Sequence, residues 1–178
     1  MMVAGRGVLI DYWSYAQRHN KLYDPNTTHA ISLSELIACA KEQGTEFRFG
    51  DILMVRSGWI DNYNHLDQNA RDSLAQISPY KQVYVGVEVS EEMVDFLHDN
   101  YFAAVAGDAP SFESWPTPYD WHLHSFLLPR WGCPIGEMWN LEQLAEACQR
   151  HNRYHFFFVS SPSNVSGELA HQVVMGPD

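Results

Sequence analysis

The chain has 178 residues, enough for one domain with a substantial core. With 46% hydrophobic and 13% aromatic residues it is not an intrinsically disordered chain. Its formal net charge of -11, from 11 Lys and Arg against 22 Asp and Glu, repels a phosphate backbone, and no basic stripe offsets it, which argues against nucleic acid as a partner. No run of about 18 apolar residues is present, so no membrane span is expected, and no membrane is expected as a partner. The opening residues MMVAGRGVLIDYW lack the basic start and long apolar core of a signal peptide. Cys39, Cys133 and Cys148 are scattered, form no CxxC pair, and read as the reduced thiols of a cytoplasmic protein.

In chain order, Val8-Leu9-Ile10 is a short apolar run of β-formers, expected as a buried strand. Asp11 follows either as a ligand-facing residue at the strand's C-terminal end or as a helix cap or turn residue. Ser32 or Ser34 caps a helix over LSELIACAKEQG, in which Leu33, Leu36, Ile37 and Ala40 keep helical spacing and Gly44 closes the end. Ile52–Arg56 reads as a second strand that Gly58-Trp59-Ile60 continues or closes over. Residues 62–79 are polar, with a weak helical pattern and an exposed character. Val83–Val87 reads as an interior strand. Ser90 caps a helix with Glu91 and Glu92 in its first turn, where the macrodipole favours carboxylates, and that helix ends near Asn100. Phe102–Ala106 is the next strand, Leu141–Asn152 a further amphipathic helix, and Tyr154–Val159 a final apolar strand. Beyond Ser160 a weakly ordered tail is expected. Strands alternating with helices predict an α/β domain.

Chemistry concentrates between Gly107 and Trp139. The turn Gly107-Asp108-Ala109-Pro110 leads into a loop with Trp115, Pro116, Pro118 and Trp121; His122, His124 and Glu137 follow. Aromatics beside imidazoles and a carboxylate suit a pocket wall with polar groups at its base. They suit equally a surface loop pinned by its tryptophans, with structural or solvated histidines. His122 and His124 could share a metal only in a loop or strand, where i and i+2 point the same way. One His and Glu137 together form half of a divalent metal site, since imidazole and carboxylate are ordinary zinc and manganese ligands. Glu137, in an apolar context, needs a partner. Cys133 reads as core. No GxSxG elbow, P-loop or GxGxxG is present. The residues by themselves lead to an α/β domain with a metal or acid–base site, and no further.

The segments GRGVLIDYW, FRFGDILMVRSGWI, VGVEVSEEMVDFLHDNYFAAVAGDAPSFESWP and LHSFLLPRWGCPIGEMWNLEQLAEAC resemble the cyclase family of metal-dependent hydrolases. That family includes kynurenine formamidase (arylformamidase), and the wording here is most similar to a fungal-type branch. The resemblance runs from Gly5 to Val165. It implies a β/β/α swivelling fold and hydrolysis of a small-molecule amide or lactone by metal-activated water, with N-formylkynurenine as the type substrate, in tryptophan catabolism. His124, in His124-Ser125-Phe126-Leu127-Leu128, and Glu137 match the family's metal-site residues. Asp108, Trp115, Trp121 and His122 would line the substrate pocket. The resemblance also implies a preceding motif, built from His, Thr and Asp, that supplies most of the zinc or manganese ligands and the catalytic histidine. No residue between Met1 and Gly7 matches it, so the expectation is a cyclase-like domain over 1–165, truncated at its N-terminus, with a divergent tail over 166–178. It is either an amide hydrolase completed from elsewhere or a catalytically inactive, small-molecule-binding relative. Homo-oligomerisation is compatible with both.

Overall fold

The computed structural model describes residues 3–78, 81–162 and 173–174. Its frame is a six-stranded mixed sheet built from β1 (Val3–Ile10), β3 (Ile52–Val55), β5 (Ala104–Gly107), β6 (Ile135–Gly136), β7 (His155–Pro162) and β8 (Val173–Val174), in the order β6-β5-β3-β1-β7-β8. The first four strands in that order run parallel; β7 is antiparallel to β1, and β8 to β7. A second sheet pairs β2 (Ala30–Ile31) with β4 (Gly86–Val87), again in parallel.

Val8, Leu9 and Ile10 are completely buried because the sheet is covered on both faces, as parallel strands require. On one face Val8, Ile10, Leu53, Val55 and Val105 pack with Tyr12, Leu36, Met93 and Leu97. These last come from α1 (Tyr12–Arg18), α2 (Leu33–Glu42) and α5 (Glu91–Asp99). On the other face Leu9, Met54 and Ala106 meet Ala145 and Cys148 of α7 (Glu142–His151), together with Leu141 and Phe158. The expected caps are in place. Ser32 Oγ accepts from the Glu35 amide and Ser90 Oγ from the Met93 amide, while Gly44 takes the left-handed conformation that ends α2. Cys39, Cys133 and Cys148 are unpaired and buried, and burial pushes the thiols of Cys133 and Cys148 up to about 11. Among the described residues no helix is long and apolar enough to cross a membrane.

Several elements differ from expectation. Gly58-Trp59-Ile60 does not continue β3. Gly58 turns left-handed at φ 82° and Trp59 opens a helix, α3 (Trp59–His65). Trp13 packs so tightly on Gly58 that a Cβ there would lie 2.2 Å from its ring, so glycine is required at this turn. The polar stretch that follows does agree with expectation: it forms helix α4 (Gln68–Ala75), which has no buried residue. The strand expected over Val83–Val87 shortens to Gly86–Val87 and joins the small sheet, where isolated bridges tie Tyr84 to Trp115 and Val87 to Glu113. The strand expected at 102–106 shifts to Ala104–Gly107. The final strand runs on to Pro162, where Ser161 and Pro162 pair with Val174 and Val173. Otherwise the expected tail lies outside the described residues. The long central loop contains one short helix, α6 (His124–Leu127), as well as β6.

Candidate active site

Each of the four parallel strands is followed at once by a charged residue. Asp11 succeeds Ile10, Arg56 succeeds Val55, Asp108 succeeds Gly107 and Glu137 succeeds Gly136. The C-terminal edge of a parallel sheet is where open α/β folds place their chemistry. Asp11 is the N-cap of α1, accepting from the Ser14 amide, and its carboxylate also takes the Arg56 guanidinium at 2.8 Å. Arg56 reaches past it to hold Glu142 with two N–H groups, at 2.9 and 2.5 Å. This buried network ties β1 and β3 to α7, and burial of Arg56 is outweighed by its two carboxylates, which keep it charged. Asp108 is fully buried. Its Oδ1 accepts from the Ser57 amide at 2.6 Å and the Ser57 hydroxyl at 2.8 Å, while Oδ2 has no partner among the described residues. Burial pushes the Asp108 carboxyl above the usual carboxylate range, against those two bonds. Asp108 borders a small cavity with Ser57, Gly86, Ser111 and Phe112, and neither Trp115, Trp121 nor His122 lines it.

His124 and Glu137, thirteen residues apart, do come together. Leu123 and Leu127, each 1% exposed, anchor α6 in the core one turn apart and leave the His124 ring at the site's edge. Its Nε2 lies 3.3 Å from Glu137 Oε1, and that oxygen also accepts from the Phe112 amide at 2.8 Å. On the other side of the ring stands Glu113. Its side chain is 1% exposed, Oε2 lies 2.7 Å from His124 Nδ1, and Oε1 accepts from the His124 amide at 3.3 Å. A carboxylate can only accept, so Nδ1 carries a proton here. The hydrogen bond to Glu113, followed by that to Glu137, raises the imidazole to about 10, so that without another electrophile it is an imidazolium held between two carboxylates.

Glu113 was not legible in the sequence. Eleven residues separate it from His124, a spacing of neither helix nor strand, and its only signal was a carboxylate set between Phe112 and Ser114, both buried. The partner expected for Glu137 is supplied by His124 and the Phe112 amide. His122 does not turn to the same point. Its Nδ1 is buried without a partner among the described residues, and its ring sits 5.4 Å from that of Trp115. Trp121 stacks on Tyr119 and meets Phe126 of α6 edge-on, bracing the helix that carries His124.

As metal donors, His124 Nε2 and Glu137 converge and fit two positions of a zinc or manganese shell. Glu113 does not count as a third, because it faces the opposite nitrogen. Among the described residues no group of three or more His, Cys, Asp and Glu could hold a metal ion. The donors present fit part of a site.

The family model described as "Putative cyclase" matches residues 2–114. The chain belongs to the cyclase family. A crystal structure described as that of a novel cyclase is similar to it with a TM-score of 0.77 and 28% identity, over 96% of this chain and 52% of that chain. The central mixed sheet and its helices are thus a cyclase-family fold, and this cyclase chain spans about half the length of that relative. Asp108 and Glu113 lie within the residues matched by the family model, and His124 and Glu137 beyond them. No curated protein matches the chain.

Proposed function

We propose that this cyclase-family chain contributes to a metal-dependent hydrolase acting on carbon–nitrogen bonds in linear amides. Its type is arylformamidase (kynurenine formamidase-like, fungal-type), with an N-formylkynurenine-type substrate and a place in cytoplasmic tryptophan catabolism. The observation that carries the reading is the convergence of His124 Nε2 and Glu137 Oε1, 3.3 Å apart, beside the C-terminal edge of the parallel strands. A zinc or manganese ion at such a site supplies a Lewis acid that activates water and polarises the formyl carbonyl. His124 would hold it through Nε2 and Glu137 through its carboxylate, with the remaining ligands coming from outside these residues. Asp108, Trp115, Trp121 and His122 are the proposed pocket residues. Asp108 would act through Oδ2, which has no partner among the described residues, at a small cavity that the other three do not line.

The test is a titration of the purified 178-residue chain with zinc and manganese, repeated with His124→Ala and Glu137→Ala, followed by an assay for N-formylkynurenine hydrolysis. Binding abolished in both variants supports the reading; negligible binding, or binding unchanged in the variants, overturns it. A second reading, a catalytically inactive small-molecule-binding relative, is favoured by the presence of only two converging donors among the described residues. Metal binding through His124 and Glu137 without amide hydrolysis would select it.

A further inference from the structure

The Glu113 carboxylate is attached to His124 twice, at the ring and at the main chain. Such a double attachment fixes two things that a single hydrogen bond leaves free. The main-chain contact sets where α6 begins relative to Glu113, and the ring contact then sets the rotation of the imidazole about its side-chain bonds. Glu113 itself has little freedom. Val87 brackets it, with its amide donating to the Phe112 carbonyl at 3.0 Å and its carbonyl accepting from the Ser114 amide at 2.9 Å. On the next strand residue Gly86 admits the Glu113 backbone so closely that a Cβ would lie 2.3 Å from the Glu113 carbonyl carbon. The backbone is held, and the side chain buried, before His124 is reached.

From this geometry we infer that Glu113 is the positioning residue of the His124 site. It holds the proton on Nδ1 and turns the ring so that Nε2 is the nitrogen presented to Glu137 and to any electrophile seated between them. Carboxylates behind a ligating imidazole act in this way, fixing the tautomer and raising the basicity of the far nitrogen. Glu113 touches neither substrate nor metal in this role and acts only through His124. The part of the inference that concerns a metal rests on the proposed function; the part that concerns the ring does not.

The experiment is side-chain 1H–15N correlation spectroscopy of the 15N-labelled 178-residue chain without metal, with zinc affinity measured separately. The native chain should show a His124 Nδ1 proton at low field and slow to exchange, assigned by its absence in His124→Ala. Glu137→Ala should retain it. Folded Glu113→Ala should lose it, and Glu113→Gln, which keeps the shape and a carbonyl acceptor, should retain the proton but move it upfield. A proton unchanged in both position and exchange rate in Glu113→Gln overturns the inference, even if Glu113→Ala fails to fold. If the native chain binds zinc, Glu113→Gln should bind it about 10- to 100-fold more weakly. Unchanged affinity overturns the positioning role at the metal. If the native chain binds no zinc, the metal reading fails, and the proton signal still decides the role of Glu113.

Discussion

Substituting Gly86 by alanine tests how the small sheet supports the site. The added Cβ would lie 2.3 Å from the Glu113 carbonyl carbon, 2.5 Å from the Ser114 nitrogen and 2.6 Å from the Glu113 oxygen, all of them backbone atoms that cannot rotate away. Ordinary contact begins at 3.4 Å, so residues 112–115 must retreat by about 1 Å. That segment is bound to the strand beside it by four main-chain hydrogen bonds of 2.9–3.0 Å, at Tyr84, Val87, Ser114 and Trp115. Moved by that amount, those nearest the clash pass the limit of a useful hydrogen bond. Losing two to four of them at about 1 kcal/mol each gives an expected destabilisation of about 2–4 kcal/mol. Urea unfolding at neutral pH measures this, and the low-field His124 proton should weaken in parallel, because Glu113 withdraws from Nδ1. A variant within about 0.5 kcal/mol of the native chain, with that proton intact, would refute the close approach described here.

Arg56→Leu leaves the Asp11 side chain, 4% exposed, with only the Ser14 amide as partner among the described residues, and should cost about 3–5 kcal/mol by urea unfolding. Adding Asp11→Asn should recover part of that loss, and a single-variant cost below about 1 kcal/mol would contradict the network. In metal-free protein the His124 imidazole is raised from 6.5 to about 10, so the folded state binds the extra proton. Its stabilisation is complete below pH 6.5 and disappears as pH rises towards 10. The stability difference between the native chain and His124→Ala should therefore shrink over that window. A difference flat with pH would show that the ring is not held as an ion pair.

Strands β1, β3 and β5 could be read from sequence because each is a short apolar run buried on both faces, whereas the two-residue strands β2 and β6 carry no such run; the caps could be read because Ser32 and Ser90 act on their own first turns. Helix α1 was missed. Tyr12, Trp13 and Tyr15 are residues of strand-like preference, and they are helical here because Tyr12 and Tyr15 are buried against α2 and the sheet, a tertiary effect that no local pattern records. The apolar character of Trp59 and Ile60 left open whether they continue β3 or close over it, and the close contact of Gly58 with Trp13, more than forty residues earlier, leaves no trace in the local sequence. At the site, His124 and Glu137 came from a resemblance and from chemical type. Glu113 and Arg56 gain their significance only from partners brought together by the sheet register, so neither could be singled out in advance.

The imidazole of His124 is also a strut. On one side it bears on Glu113, whose backbone belongs with the two-stranded sheet, and on the other on Glu137, which emerges from the edge of the six-stranded one. The two sheets are thus gauged against each other across a single ring. A displacement of the small sheet too slight to unpair its strands would still alter the gap at Nε2, and with it what that gap can accommodate. Changes in the packing of β2 and β4 should therefore be felt at the site without any alteration of the residues that form it.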